Sequence, residues 1–185
     1  GLREVENPSM MLLSGKPQNV SGSCVACIME GSRPILAEVQ ALVTKTGFGT
    51  PRRTAAGFDY NRMNLLLAVL EKRAGYCFAA LDVYLNVVGG LRLDEPAADL
   101  PVAVALVSSL RDKPVDDELI AFGEIGLGGE LRSVHNIAER VREAQRLGFT
   151  RAIVPRSSLP LLQKQGVWEI ELLPAANLRD AFRMI

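Results

Sequence analysis

Few side chains in this chain can do chemistry. There is one histidine, His135, and there are three cysteines, two of them spaced as Cys24-Val25-Ala26-Cys27. A C-x-x-C pair can hold zinc or cycle through a disulfide, but this pair lies in the run SCVACIM, which reads as a strand. Residues three apart on a strand point to opposite faces, so the two thiolates cannot readily share a metal, and no second pair completes a four-ligand site. They read as small buried hydrophobes. His135 stands just before a helix start, where a surface or hinge role fits better than taking a proton from a nucleophile. Ser108 and Ser109 fall in the middle of a helix with no Lys at a Ser-x-x-Lys spacing, and Ser133 has no evident base. The phosphate-binding G-x-x-x-x-G-K-[ST] pattern is absent, and Gly47-Phe48-Gly49 sits in a loop with no helix directly after it, so neither nucleotide nor metal site is expected here.

The most informative charged residue is Arg140. At 100° per residue, Ile137, Val141, Ala144 and Gly148 form one apolar stripe, and Arg140 falls inside it. A guanidinium on an inward face must find a partner or reach a cleft, because an unpaired buried charge is costly. Two readings stand: an arginine snorkelling at the edge of the stripe, or one occupying the position of a former active site.

The elements that would position these residues follow from pattern. Asn7 to Ser14 reads as a short helical turn, with residues 1–20 a linker into a single domain over 21–185. Gly22 to Val43 carries two extended runs around Gly31-Ser32-Arg33-Pro34, a β-hairpin. Thr44 to Gly57 is aperiodic and basic, a loop. Asp59 to Ala74 is a helix capped by Asp59 and stopped by Gly75, and Leu81 to Val88 alternates as a strand does. Leu100 to Arg111 is a strongly apolar, hence central, helix, with Asp99 as cap and Pro101 in the first turn. Leu119 to Ile125 and Glu130 to Val134 are strands around a glycine turn. Asn136 to Leu147 is a helix with an Asn136/Glu139 capping box, ending at Gly148. A strand (Arg151 to Val154), a short helix (Leu159 to Lys164), a strand (Trp168 to Leu172) and a helix (Asn177 to Ile185) complete an α/β (α+β) domain with a mixed sheet and packed helices.

Composition fits one globular domain: 185 residues, 48% hydrophobic and 23% charged. Net charge is zero, against a dedicated nucleic-acid-binding domain, though a local basic patch is compatible with it. An odd cysteine count gives no disulfide framework, and a reducing, cytoplasmic setting is expected. No apolar run is long enough to span a membrane, and the polar start, Gly1 to Asn7, is no signal peptide. The chain opens on Gly1 rather than Met, which reads as a piece of a longer protein.

Leu91 to Pro155 resembles the proteolytic domain of Lon proteases, through ALVSSL at Ala105 to Leu110, Lys113-Pro114-Val115, Gly123-Glu124-Ile125 with its following glycines, and the helix ending in Leu147-Gly148. The resemblance implies the Lon-type mixed-sheet fold, the ribosomal protein S5 domain 2-like architecture. Lon proteases use a Ser-Lys dyad, in which a lysine amine of lowered pKa takes the proton of the serine. Their D-G-P-S-A-G motif, laid without gaps, falls on Asp94-Glu95-Pro96-Ala97-Ala98-Asp99, so the nucleophile position is Ala97, and the same alignment puts the lysine at Arg140. Alanine has no nucleophilic atom and arginine stays protonated, so no peptidase activity is expected. Over nearly its full length the chain is also similar to the C-terminal domain of the bacterial RadA/Sms family, through NPSMMLLS, EGSRPILAEVQALV, TPRRTAAGFDYNRMNLLLAVLEKRAG and DVYLNVVGGLRLDEPAADL.

That resemblance implies a DNA-repair and recombination ATPase. Its zinc finger and RecA-like domain, with Zn, ATP and Mg, would lie upstream, and the Lon-like part would be the scaffold of a hexameric ring. It implies DNA, branched recombination intermediates and a recombinase as partners, and a nucleoid-associated place in the cytoplasm. If this domain touches DNA, clustered cations must meet phosphates. The candidates are Arg33, Arg52, Arg53, Arg62 and Arg132, although for each taken alone a solvated surface arginine is the simpler reading. A scaffold without DNA contact, or a peptidase with an unusual nucleophile, are the alternatives.

Overall fold

The alternating runs on either side of Gly31-Ser32 form the central hairpin of the fold, in a computed structural model that describes residues 8–185. After a short helix α1 (Pro8–Leu13), β1 (Ser23–Glu30) pairs antiparallel with β2 (Arg33–Lys45). Then come β3 (Arg53–Ala56), α2 (Tyr60–Ala74), β4 (Leu81–Val87), α3 (Asp99–Arg111), β5 (Leu119–Ala121), β6 (Glu124–Ile125), β7 (Leu131–Arg132), α4 (Ile137–Arg146), β8 (Arg151–Pro155), α5 (Leu159–Lys164), β9 (Glu171–Ala175) and α6 (Leu178–Phe182). Seven strands form one sheet in the order β3-β4-β2-β1-β5-β8-β9, and β6-β7 make a separate ribbon. The sheet is mixed: β2 runs antiparallel to both its neighbours, and the other pairings are parallel. One end of the sheet therefore carries the C-terminal ends of every strand except β2, and with them the β1–β2 turn.

Alternation divides the interior into two cores. Cys24, Ala26 and Ile28 of β1 face a core built with α2 and α3, and Val25 and Cys27 face another built with α4 and α5. The two thiols thus sit on opposite faces of one strand, as the strand period requires. The central α3 is apolar all round and buried from Asp99 to Ser108, as its composition predicts. Its two serines serve the backbone. Ser108 Oγ donates to Lys113 O (2.6 Å) and accepts from Gly22 N (2.9 Å), and Ser109 Oγ accepts from Val43 N (2.9 Å). The helix α2 lies between Asp59, whose side chain accepts from Arg62 N, and Gly75 in the left-handed conformation (φ 78°), the two ends read from sequence.

Several expectations need correction. The stretch Thr44 to Gly57 is not all loop: β2 continues to Lys45, and Arg53–Ala56 adds an edge strand parallel to β4. Only its partner reveals β3, since RTAA has no apolar alternation of its own. Leu119 to Ile125 is not one strand. The chain leaves the sheet at Phe122-Gly123, where Gly123 N donates to Ala97 O (3.2 Å) and Gly123 O accepts from Leu100 N (3.1 Å). Asn136 makes no capping box; it adopts a left-handed conformation (φ 57°) with no side-chain cap bond. Asp99 is the first residue of α3 rather than its cap. The last strand is Glu171–Ala175, because Glu169 N and Ile170 N are held by Gln145 Oε1 instead of a neighbouring strand. Asn7 and the N-terminal residues before it lie outside the described residues. No described helix is long and apolar enough to cross a membrane.

Burial pushes the Cys24 and Cys27 thiols up to about 12, whereas Cys77 is exposed. Near neutral pH a thiol reagent should therefore label Cys77 alone in the folded chain and all three in denaturant. The linkage has a definite sign. Above the ordinary thiol value of 9.0 the unfolded chain loses protons that the folded chain keeps, so the contribution of these thiols to stability falls as pH climbs past it. Urea titrations should show this alkaline loss diminished in a Cys24→Ala/Cys27→Ala variant; an identical pH profile would contradict it.

Candidate functional site

The segment joining β4 to α3 has the composition of a constrained loop, with charged residues around Pro96. It rises as Asp94-Glu95, makes a single helical turn over Pro96–Ala98 and enters α3 at Asp99. Ala97 is 3% exposed, and its carbonyl is tied to Gly123 beyond β5. Arg140, on the first turns of α4, is also only 3% exposed. Both line one cavity of about 400 Å³, with Met29 at the end of β1, Glu124 of β6, and Ser133 and His135 before α4.

Arg140 is not snorkelling. Its Nε donates to His135 O (2.8 Å), and one terminal nitrogen donates to Cys27 O (2.7 Å) and to Glu95 Oε1. The other carboxylate oxygen of Glu95 accepts from Met29 N (3.1 Å). One ion pair thus joins the β4–α3 segment, β1 and α4. A second pair stands four residues further on. Asp99, 1% exposed, takes Arg62 Nε on Oδ1 (3.0 Å) and another nitrogen of Arg62 on Oδ2, which also accepts from Ile125 N (3.0 Å). The hydrogen bond to Asp99 raises the already high Arg62 pKa. Arg62 and Asp99 border a neighbouring cleft of about 620 Å³ that shares Glu95, Pro96 and Glu124 with the first.

The lining of this region is charged, with Glu95, Glu124 and Arg140 beside Ser133 and His135. A methyl group projects at 97 and a permanent cation at 140. The Ser133 hydroxyl lies 2.7 Å from Ser157 Oγ, in exposed positions. His135 contributes its carbonyl to Arg140, and its side chain is exposed.

The five arginine candidates do not form one patch. Arg33, Arg62 and Arg132 belong to the end of the sheet carrying the cavities; Arg52 and Arg53 belong to the other end. Arg33 precedes Val43 by ten residues on β2, and Val43 is in register with Val83 and so with Arg53, which makes the separation about 33 Å at the usual strand rise. Three of the five are engaged. Arg53 donates to Phe78 O (2.9 Å) and Leu81 O, Arg62 is held by Asp99, and Arg132 is bonded to Glu130 (2.9 Å). Arg62 is therefore no exposed cation at a helix start, but part of the cleft's framework. Arg33 and Arg52 are exposed. Sequence reasoning missed Glu95 and misassigned Asp99; neither spacing, 45 residues to Arg140 or 37 to Arg62, leaves a local signal.

Residues 60–158, more than half of the chain, match the family model ChlI, described as subunit ChlI of Mg-chelatase. Relatives named DNA repair protein RadA align along the whole chain. That of Halalkalibacterium halodurans is 47% identical over 100% of the chain and 40% of its own length, and that of Streptococcus pneumoniae 53% over 100% and 44%. The relative from Synechocystis is 50% identical over 96% of the chain and 34% of its own length. The chain spans less than half the length of each of these relatives.

Glu95 is half-buried but Arg140 is buried, so removing Glu95 leaves the Arg140 charge uncompensated, a cost of up to about 3–5 kcal/mol. Glu95→Ala should lower the unfolding free energy on that scale in urea titrations. Glu95→Gln combined with Arg140→Met should cost less than Glu95→Ala alone. A loss below about 1 kcal/mol for Glu95→Ala, the level of an exposed pair, would show that the charge is not buried in solution.

Proposed function

From the premise that the chain belongs to the RadA family of DNA repair proteins and carries a domain of the ChlI family, we propose that it is a non-proteolytic Lon-type domain, a scaffold for assembly that also contacts DNA during repair. The unit would be 21–185, with 1–20 leading into it. The observation that carries the reading is the shared cavity of Ala97 and Arg140: the two positions assigned by the Lon motif face one hollow, and neither side chain can perform the dyad's step. In this reading the hollow's work is structural, because Arg140 is spent on Glu95, Cys27 and His135.

The longer protein is proposed to be a DNA-dependent ATPase acting on branched recombination intermediates with a recombinase, near the nucleoid of a bacterial cytoplasm. Its ATP, Mg and Zn would bind outside this chain. The scaffold would be a homo-oligomer, a hexameric ring. DNA contact would come from the exposed Arg33 and Arg52, with Arg53, Arg62 and Arg132 contributing only after giving up present partners. Those three engagements favour the rival of a scaffold without DNA contact.

Four measurements test this. Sedimentation should give a ring-sized mass. The chain should neither digest unfolded casein nor react with a serine-directed probe; either result would end the non-proteolytic reading. Restoring the dyad types should not restore activity. In Ala97→Ser/Arg140→Lys the lysine would lie beside Glu95, whose negative charge holds an amine protonated, the opposite of what a base requires. Casein hydrolysis by that variant would show that Glu95 does not control the site. In gel shifts, Arg33→Glu and Arg52→Glu should each weaken duplex binding and reduce the slope of log affinity against log salt by about one. Unchanged affinity in both would leave the scaffold alone.

A further inference from the structure

Two features at opposite ends of the edge strand β3 are complementary. The first is the loop between β2 and β3. Its ring at Phe48 is fully exposed, flanked by Gly47 and Gly49. From Thr44 to Gly57 the chain has Lys45, Arg52 and Arg53 and no acid. The loop is pinned at its base, since Asp82 Oδ1 accepts from Thr46 Oγ1 (2.9 Å) and from Arg52 N (2.7 Å), and Arg53 grips the carbonyls of Phe78 and Leu81. The hydrogen bond from Arg52 N holds the Asp82 carboxyl below the usual carboxylate range. Phe48 is thus presented on a base already fixed, which reduces the ordering cost of burying an aromatic.

The second feature is the cleft of about 620 Å³ beside Arg62. Its floor is apolar, with Phe58 and Leu93 buried and Leu65 partly exposed; Asp59 and Glu124 stand on its rim, beside Asp94, which is paired with Arg92 (3.0 Å). Its one cation, Arg62, is neutralised by Asp99. An aromatic carried by a basic segment fits both the floor and the charge.

We propose that the Phe48 loop of one copy seats in this acidic, apolar-floored cleft of the next copy. The inference rests on the oligomeric reading above and names its contact. A chain cannot fill its own cleft in this way, because the loop enters β3 at its first residue and the cleft begins with Phe58 beyond its last, the whole strand, about 13 Å, lying between. The contact is therefore head to tail, two different patches meeting, the kind that closes into a ring when the rotation between copies allows. Phe48 is the anchor, and Lys45 with the acids of the rim sets orientation and association rate.

Sedimentation velocity on Phe48→Ala, with the loop disabled, and on Leu65→Glu, with the cleft disabled, tests the contact, circular dichroism confirming the fold; Glu124→Lys replaces Leu65→Glu if the latter fails to fold. Each variant alone should self-associate at least about tenfold more weakly than the parent chain. Mixed, they should form a dimer and stop, because one productive loop and one productive cleft remain. If both variants assemble like the parent, the loop-in-cleft contact is wrong while the ring reading stands. If the parent chain is monomeric, both fall. If Phe48→Ala assembles normally but loses duplex binding in gel shifts, the loop serves nucleic acid and the proposal is overturned.

Discussion

A guanidinium placed inside an apolar stripe cannot remain alone, and the site takes its shape from that constraint. Arg140 lies on the face of α4 that Ile137, Val141 and Ala144 bury. Withdrawing a charge from water costs several kcal/mol unless a counter-charge and enough acceptors meet it. Here Glu95 supplies the charge, and the carbonyls of His135 and Cys27 supply the remaining acceptors. Because those acceptors come from three separate parts of the chain, satisfying one side chain fixes the entry to α4, the end of β1 and the segment before α3 relative to one another. The backbone N–H of Met29, closing on the other oxygen of Glu95, makes the carboxylate as constrained as its partner.

The segment from Glu95 to Asp99 is held by a cation from each side. Arg140 reaches it from α4 and Arg62 from α2. Its two acids stand at either end of one tight turn, and the second begins α3, where a negative charge also answers the helix dipole. The central helix is so thoroughly apolar that it has no polar side chain of its own with which to orient its first turn apart from Asp99. Its first turn is therefore held by the Arg62 ion pair and by the backbone bonds Gly123 N to Ala97 O and Leu100 N to Gly123 O, while the rest of the helix is placed by the core. Shape and charge at this end of the sheet share one cause.

What was legible in the sequence follows from which interactions are local. The hairpin of β1 and β2, the caps of α2, the burial of α3 and the inward face of Arg140 all depend on periodicity or on neighbours within a few residues, and the structure has each of them. The opposite facing of Cys24 and Cys27 is a consequence of strand geometry alone. The edge strand β3 was hidden because it is stabilised by pairing with β4, more than twenty residues away, and carries no pattern of its own. Asn136 followed by Glu139 has the spacing of a capping box, yet the demand of Arg140 for the His135 carbonyl accompanies a left-handed turn at 136 instead. Asp99 looked like a cap for the same reason that it is not one: an acid at a helix start suits the dipole, but its lone pairs are taken by Arg62 and Ile125 N. Glu95 and its partner are far apart in sequence, and only the fold brings them together.

Zero net charge conceals a division. The lining of the cleft beside Arg62 gathers Asp59, Asp94, Glu95, Asp99 and Glu124 against that one cation, while the loop entering β3 at the opposite end holds Lys45, Arg52 and Arg53. Within one chain these groups are kept apart by the length of β3. Screening over about 8–10 Å weakens the attraction between the loop and the cleft across the domain. A sum over the sequence averages this away, which is why net charge speaks against broad affinity for nucleic acid but says little about assembly. Burial strengthens the contrast. Three of the acids there are already paired with arginines, Glu95 with Arg140, Asp99 with Arg62 and Asp94 with Arg92, so the charge left to face a partner belongs to Asp59 and Glu124, beside a floor of Phe58, Leu93 and Leu65. An acidic rim around an apolar floor favours a cationic partner that also carries a hydrophobic group, and it disfavours bare phosphate. Any DNA contact is therefore better placed on cations away from this cleft than on those that line it.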